Sequence, residues 1–145
     1  MAELSYRDRV RPEWIDYNGH LSEPYYVLVF GDATTALMDA VGLGPEYRET
    51  GSSLYTVEAH IRYLREVGPD VELDVTTSVL DVGAKKVRIC HEMRVAGDLV
   101  ATEEVLGVHV DASAASAPFP DAVRRRVEES RTPPSPHASR AIRLG

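Results

Sequence analysis

The stretch that decides the fold is Pro24–Val41, "PYYVLVFGDATTALMDAV". Tyr26, Phe30, Ala33, Leu37 and Val41 recur at steps of four and three, the spacing of one face of an α-helix. Pro24 suits a first helical turn, Ser22 or Glu23 can cap the start, and Gly42 can take the left-handed backbone that ends it. Val27, Leu28 and Leu43 make the other side apolar too, so the helix should be buried on most of its surface. Gly31 in its middle costs about 1 kcal/mol against alanine, and the expectation is that something packs closely there.

On either side of this segment the period is two. "LSYRDRVRP" alternates weakly and stops at Pro12, as a short edge strand does. Downstream, Tyr55, Val57, Ala59, Ile61 and Tyr63 share one strand face and Glu58, His60 and Arg62 the other. Alternations follow at Val71–Val79, Val87–Val95 and Val100–Val110, separated by "DVGAKK" and "AGD". With "VGPD" read as a turn, the four strands predict an antiparallel meander. The order β-α-β-β-β-β defines an α+β domain over residues 1–111. A single curved antiparallel sheet buries one long helix by wrapping around it, which is the hot-dog arrangement. Residues 112–130 read as an Ala/Ser/Pro linker and a short helix, and residues 131–145 as a mobile, basic Pro/Ser-rich tail. An open sheet edge invites pairing across a two-fold axis, so a homodimer or homotetramer is expected.

Bulk properties narrow the function. The 145 residues suit one domain with a real core, and a net charge of −7 argues against nucleic acid or an anionic membrane as partner. Cys90 is the only cysteine, so no disulfide framework or cysteine metal site exists, and its β context predicts a buried, inert thiol. No apolar run reaches the length of a membrane span and no signal peptide opens the chain, which makes a cytoplasmic protein the expectation. His60, His91 and His109 fall on separate strands without ligand spacing, so they read as structural and no metal is expected.

Chemistry concentrates just before the helix, in "PEWIDYNGHLSEPYY", Pro12–Tyr26. A helix start offers unpaired N–H groups and the positive end of the dipole, a place for a carbonyl oxygen that becomes an oxyanion. Pro24 has no N–H, which leaves the backbone amide of Glu23 as donor. Asp16 precedes it by seven residues, and Gly19 permits the turn that aims its carboxylate at the same point. Such a pair suits hydrolysis of an activated acyl group, with the carboxylate activating water or attacking directly. The plainer alternative is that Asp16 and Asn18 only form an Asx-turn.

The run Asp16, Gly19, Pro24, Tyr26 resembles the Asp-x-x-Gly-x-x-x-x-Pro-x-Tyr signature of hot-dog thioesterases of the 4-hydroxybenzoyl-CoA thioesterase type. A closer likeness, through "PEWIDYNGH", "YYVLVFGDA" and "LYTVEAHIRYL", is to thioesterases paired with or fused to L-carnitine dehydrogenases. The resemblance implies an acyl-CoA thioesterase, with Asp16 as the catalytic carboxylate, the Glu23 amide polarising the thioester carbonyl, and betainyl-CoA as substrate. It implies no cofactor beyond the coenzyme A of the substrate. Trp14 stands where the family often has a second aspartate, and Ser22-Glu23 where it often has Asn-Asn. The His-Gly-Gly motif of the other thioesterase branch is absent, which argues against Asp39 or Glu46 as base.

Around this pair, Trp14, Asn18, Gly19, His20, Tyr25 and Tyr55 are the candidate substrate contacts. With Tyr17, the aromatic ones can cage a quaternary ammonium, an interaction worth about 0.5–2 kcal/mol, while the helix periodicity assigns Tyr26 to the core. Lys85 and Lys86, in the segment where the family often meets the coenzyme, and Arg62 and Arg65 are candidates for coenzyme A phosphates. Two other functions compete: a hot-dog dehydratase or hydratase, in which His20 lacks an obvious acidic partner, and a non-catalytic acyl-CoA-binding module.

Overall fold

A computed structural model describes residues 4–133, 135–138 and 142–144. The strands are β1 (Leu4–Arg9), β2 (Ser53–Tyr63), β3 (Glu72–Val82), β4 (Lys86–Val95) and β5 (Asp98–Val110). The helices are α1 (Glu23–Val41), α2 (Pro45–Glu49) and α3 (Asp121–Glu129), with a 3₁₀ turn at Pro12–Trp14. The five strands make one antiparallel sheet in the order β1-β3-β4-β5-β2. At 1.5 Å per residue, α1 is about 28 Å long and matches strands of ten residues at about 3.3 Å each. The α+β hot-dog arrangement is therefore what the periodicities imply.

The meander is not. Strand β2 pairs with β5, not with its successor β3. The connection from Leu64 to Val71 is too long for a tight hairpin. It crosses the end of the sheet, where the Leu64 and Arg65 amides donate to Val100 O, Leu21 N–H to Val67 O, and Val10 N–H to Val71 O. The crossing delivers β3 to β1 and leaves β2 as the opposite edge.

A bulge between Thr56 and Glu58 also shifts the phase of β2. Ala59, Ile61 and Tyr63 face α1 opposite Val105, Glu103 and Ala101, whereas Tyr55 pairs with Val108 on the other face. The expected single stripe from Tyr55 to Tyr63 is broken.

Tyr26, Val29, Phe30, Ala33, Leu37 and Val41 of α1 are buried against the sheet, the stripe its spacing defines. Gly31 departs from expectation: a Cβ built there meets nothing within 4 Å, so the glycine faces open space. Residues 112–120 fold back on the sheet instead of spanning solvent. Ala117 N–H donates to His109 O, Phe119 N–H donates to Ala84 O, and Phe119 is buried. Val123 and Val127 of α3 join Leu37, Val41 and Val79 in one apolar cluster. Further on, Thr132 N–H donates to Val79 O, Ser135 Oγ donates to Glu92, and Ile142 is buried. The mobility expected of the tail falls partly on residues 134, 139–141 and 145, outside the described residues.

Beneath α1 lies a row of polar side chains. Thr77, His91, Glu103 and Ile61 are successive cross-strand neighbours on the helix-facing side. His91 is fully enclosed: Thr77 Oγ1 lies 2.7 Å from Nδ1 and Thr34 Oγ1 lies 2.8 Å from Nε2. Thr34 donates its own hydroxyl proton to Phe30 O, so it accepts from Nε2–H, and Thr77 donates to Nδ1. Burial pushes the His91 pKa down to about 3, and it is this neutral ring that makes Thr77 the donor to Nδ1. His91 is structural, because both of its ring nitrogens are held by threonine hydroxyls. Cys90 is buried, and desolvation raises its thiol to about 12, an inert state.

Candidate active site

The approach to α1 is a small closed loop. Ile15 and Leu21 bridge, Asp16 N–H donates to His20 O at 3.0 Å, and Gly19 N–H donates to Asp16 O at 3.0 Å. Gly19 closes it with φ +77°, a backbone that residues with a Cβ adopt only with strain. Ser22 N–H donates to Trp14 O at 2.9 Å, which seats the helix start beside the incoming arm.

Two polar groups stay open here. Asp16 Oδ1 accepts from Asn18 N–H at 2.8 Å, so the Asx-turn is real. It uses one carboxylate oxygen; Oδ2 has no hydrogen bond among the described residues. At the helix start the Ser22 side chain makes no capping bond, Pro24 has no N–H, and Tyr25 N–H donates to Ser22 O. The Glu23 N–H is thus the unspent donor at the positive end of the 19-residue dipole. Turn formation and an open carboxylate coexist in one residue.

Beside them lies a cleft of about 340 Å³ lined by Leu21, Glu23, Tyr26, Tyr63, Arg65 and Glu66. Tyr26 is buried; its hydroxyl donates to Arg65 O at 3.4 Å and its ring meets Tyr63 edge-on at 5.0 Å. Burial raises the Tyr26 pKa first, and the charges of Glu66 and Asp16 act in the same direction, which places Asp16 within electrostatic reach of this wall. Tyr63 was not among the expected contacts. It belongs to the inner stripe of β2, and only the topology shows that this end of β2 meets the helix entry.

The other expected residues divide. His20 flanks the cleft, its Nε2 3.2 Å from Glu66, so it does have an acidic partner. Arg65 lines the cleft and reaches Asp98 at 3.7 Å. Trp14 departs from its expected place in an open aromatic cage. Only 3% exposed, it stacks on Tyr25 at 5.5 Å with the Arg11 guanidinium over its ring, because the 3₁₀ turn folds it into the core. Tyr25 is half-buried as its stacking partner, and Tyr17 is almost fully exposed.

Tyr55, Lys85 and Lys86 lie at the far end of the sheet, where Lys86 and Tyr55 both neighbour Val108. At about 3.3 Å per residue, Tyr55 is roughly 26 Å along β2 from Tyr63, so within one chain these residues do not meet Asp16. Arg62 faces away from α1, opposite Thr102. Asp39 and Glu46 line a cavity of about 670 Å³ at the C-terminal end of α1, away from the helix entry. Among the described residues, no cluster of three or more His, Cys, Asp or Glu side chains can hold a metal ion, and no helix is long and apolar enough to cross a membrane.

Residues 10–127 match the thioesterase-like superfamily. The chain belongs to that family, and its class is that of a hot-dog thioesterase. Among curated relatives, it is 40% identical over 128 residues to the betainyl-CoA thioesterase of Pseudomonas aeruginosa, covering 86% of this chain and 80% of that protein. It is 40% identical over 136 residues to the L-carnitine dehydrogenase/betainyl-CoA thioesterase of Agrobacterium fabrum, covering 90% of this chain but 28% of that longer protein. A candidate thioesterase from Pseudomonas putida superposes with TM-score 0.83 at 35% identity, over 100% of this chain and 99% of that one. A Staphylococcus aureus protein solved in complex with CoA shares the fold, with TM-score 0.89 at 23% identity over 99% and 96% of the chains.

Proposed function

We propose that the protein hydrolyses a small acyl-CoA, betainyl-CoA in particular, to the free acid and coenzyme A, using Asp16 and the Glu23 amide. The observation that carries this is an Asp16 carboxylate with one oxygen unbonded, in the loop that leads into α1 and within electrostatic reach of Tyr26, together with the unspent Glu23 N–H at the wall of the cleft that Tyr26 also lines. The thioester oxygen accepts from Glu23 N–H and gains negative charge as the carbonyl carbon is attacked. Asp16 takes a proton from the attacking water, or attacks the carbon itself to form an anhydride that water then opens. In both routes the C–S bond breaks, coenzyme A leaves as a thiolate that takes up a proton, and the acid remains. Neither route calls on a metal or a further cofactor. The acyl choice is supported by the names of the relatives.

Thiol release tests the reaction, with betainyl-CoA and a panel of neutral acyl-CoAs offered at pH 8. Turnover of at least one ester is expected; silence across the panel rules out hydrolysis. The His20–Glu66 pair is the one feature that favours a hydratase, which would release no thiol.

A second copy completes the arrangement. Strand β2 is an edge whose middle, Tyr55 to Ala59, is exposed on both faces, with Val57 58% exposed. Antiparallel pairing of β2 with its own copy turns the Tyr55–Lys85 end of one chain toward the Tyr63–Arg65 end of the other. The far-end lysines would then serve the neighbouring chain's coenzyme A. Val57→Lys, a charge in the middle of that edge, is expected to shift the sedimentation coefficient from dimer or tetramer to monomer. An unchanged oligomer would place the interface elsewhere. A cytoplasmic location accords with a buried free thiol and a coenzyme A substrate.

A further inference from the structure

Glu103 is a buried carboxylate that the hydrolytic chemistry does not use. It is 5% exposed and forms no hydrogen bond or salt bridge among the described residues. Its neighbour in the row, His91, cannot serve it, because both ring nitrogens are taken by Thr34 and Thr77. Glu103 instead lines a cavity of about 340 Å³ between α1 and β2, with Val27, Gly31, Thr34, Leu54 and Ala59 among the walls. Those walls are apolar or hydroxyl-bearing, and the missing Cβ of Gly31 leaves the helix side open.

An ionised carboxylate held this deep is costly unless a positive charge meets it. Burial raises its pKa to about 7, so at neutral pH the group is poised between acid and anion. The cavity begins at Val27, one turn along α1 from Glu23. Tyr63 links the two places: after burial, the charges of Glu23 and Glu103 are what raise its hydroxyl pKa. A cation that also wants apolar walls and brings no N–H donors is a quaternary ammonium.

Resting on the thioesterase function, we propose that Glu103 is the specificity-determining counter-charge that makes this groove accept a quaternary ammonium acyl group. The protein should then prefer betainyl-CoA over its neutral isostere, 3,3-dimethylbutanoyl-CoA. The preference should fade as pH falls below about 7 and Glu103 gains a proton. Around it the titratable groups are His91 on β4, held neutral, Cys90 on β4, whose thiol the Glu103 charge helps to raise, and Tyr63 on β2, which also feels Glu23; the described walls from α1 carry none.

The test compares the wild type with Glu103→Gln and Glu103→Asp. In Glu103→Gln the ratio of kcat/KM for the two esters should fall on the order of 10- to 100-fold, and Glu103→Asp should restore part of it. An unchanged ratio overturns the proposal. Calorimetry with tetramethylammonium at pH 8 decides the point without turnover. Heat of binding in the wild type that vanishes in Glu103→Gln supports the counter-charge, and equal heats in both refute it. If neither ester is cleaved, the hydrolytic function fails while the calorimetric result still stands on its own.

Discussion

Asp16→Asn should lower kcat for thioester hydrolysis by about 10³-fold while leaving the fold and its melting temperature unchanged, since a general base contributes roughly 10²- to 10⁴-fold. The substitution separates the two roles that one side chain holds. An asparagine Oδ1 still accepts from Asn18 N–H, so the Asx-turn survives. The open Oδ2 is replaced by an NH₂ that neither accepts a proton nor attacks a carbonyl. If Asp16 served only the turn, Asp16→Asn would keep full activity and Asp16→Ala would cost about 1 kcal/mol of stability, as other lost side-chain-to-backbone bonds do. Parallel thiol-release kinetics and thermal melts of the two variants therefore assign the residue.

The second large effect concerns stability against pH, and it joins His91 to its neighbour Glu103. His91 has a folded pKa of about 3 against an ordinary 6.5, so the folded state binds fewer protons and stability falls as pH drops through that window. Glu103 has a folded pKa of about 7 against an ordinary 4.5, so the folded state binds more protons and stability rises as pH drops from 7 to 4.5. Each contributes a slope of about 1.4 kcal/mol per pH unit, with opposite signs. Between pH 6.5 and 4.5 they cancel, and urea titrations of the wild type should give a nearly flat profile. Below 4.5, of the two, only His91 still titrates, and its share of the stability should drop by about 2 kcal/mol by pH 3. Glu103→Gln removes one partner of the cancellation, so its profile should already slope down from pH 6.5. A flat profile in the variant as well would contradict this account of the row under α1.

Much of this was legible in the residues. The stripe from Tyr26 to Val41 has an unbroken helical period, and Gly42 at φ +95° ends the helix as a left-handed cap. The loop chemistry was also visible, because Asp16, Gly19 and Pro24 are short-range features whose geometry depends on nearby backbone. Non-local pairing is hidden: nothing in "VGPD" tells a crossing connection from a hairpin, so the alternation alone puts β2 beside β3 and not beside β5. The bulge at Thr56–Glu58 reverses side-chain phase without changing composition, which misplaced Tyr55. Strand β5 is buried on both faces from Val100 to Gly107, so its alternation carries no inside-outside signal and Glu103 could not be singled out. The apparent linker concealed Phe119, whose burial depends on a surface built by α1 and the sheet.

All of this turns on where the thioester carbonyl sits. The direct measurement is a crystal structure of Asp16→Asn holding intact betainyl-CoA. The carbonyl oxygen is expected about 2.7–3.1 Å from the Glu23 backbone nitrogen, with residue 16 facing the carbonyl carbon. A carbonyl directed away from the start of α1, with the Glu23 N–H bonded only to water, would contradict the assignment.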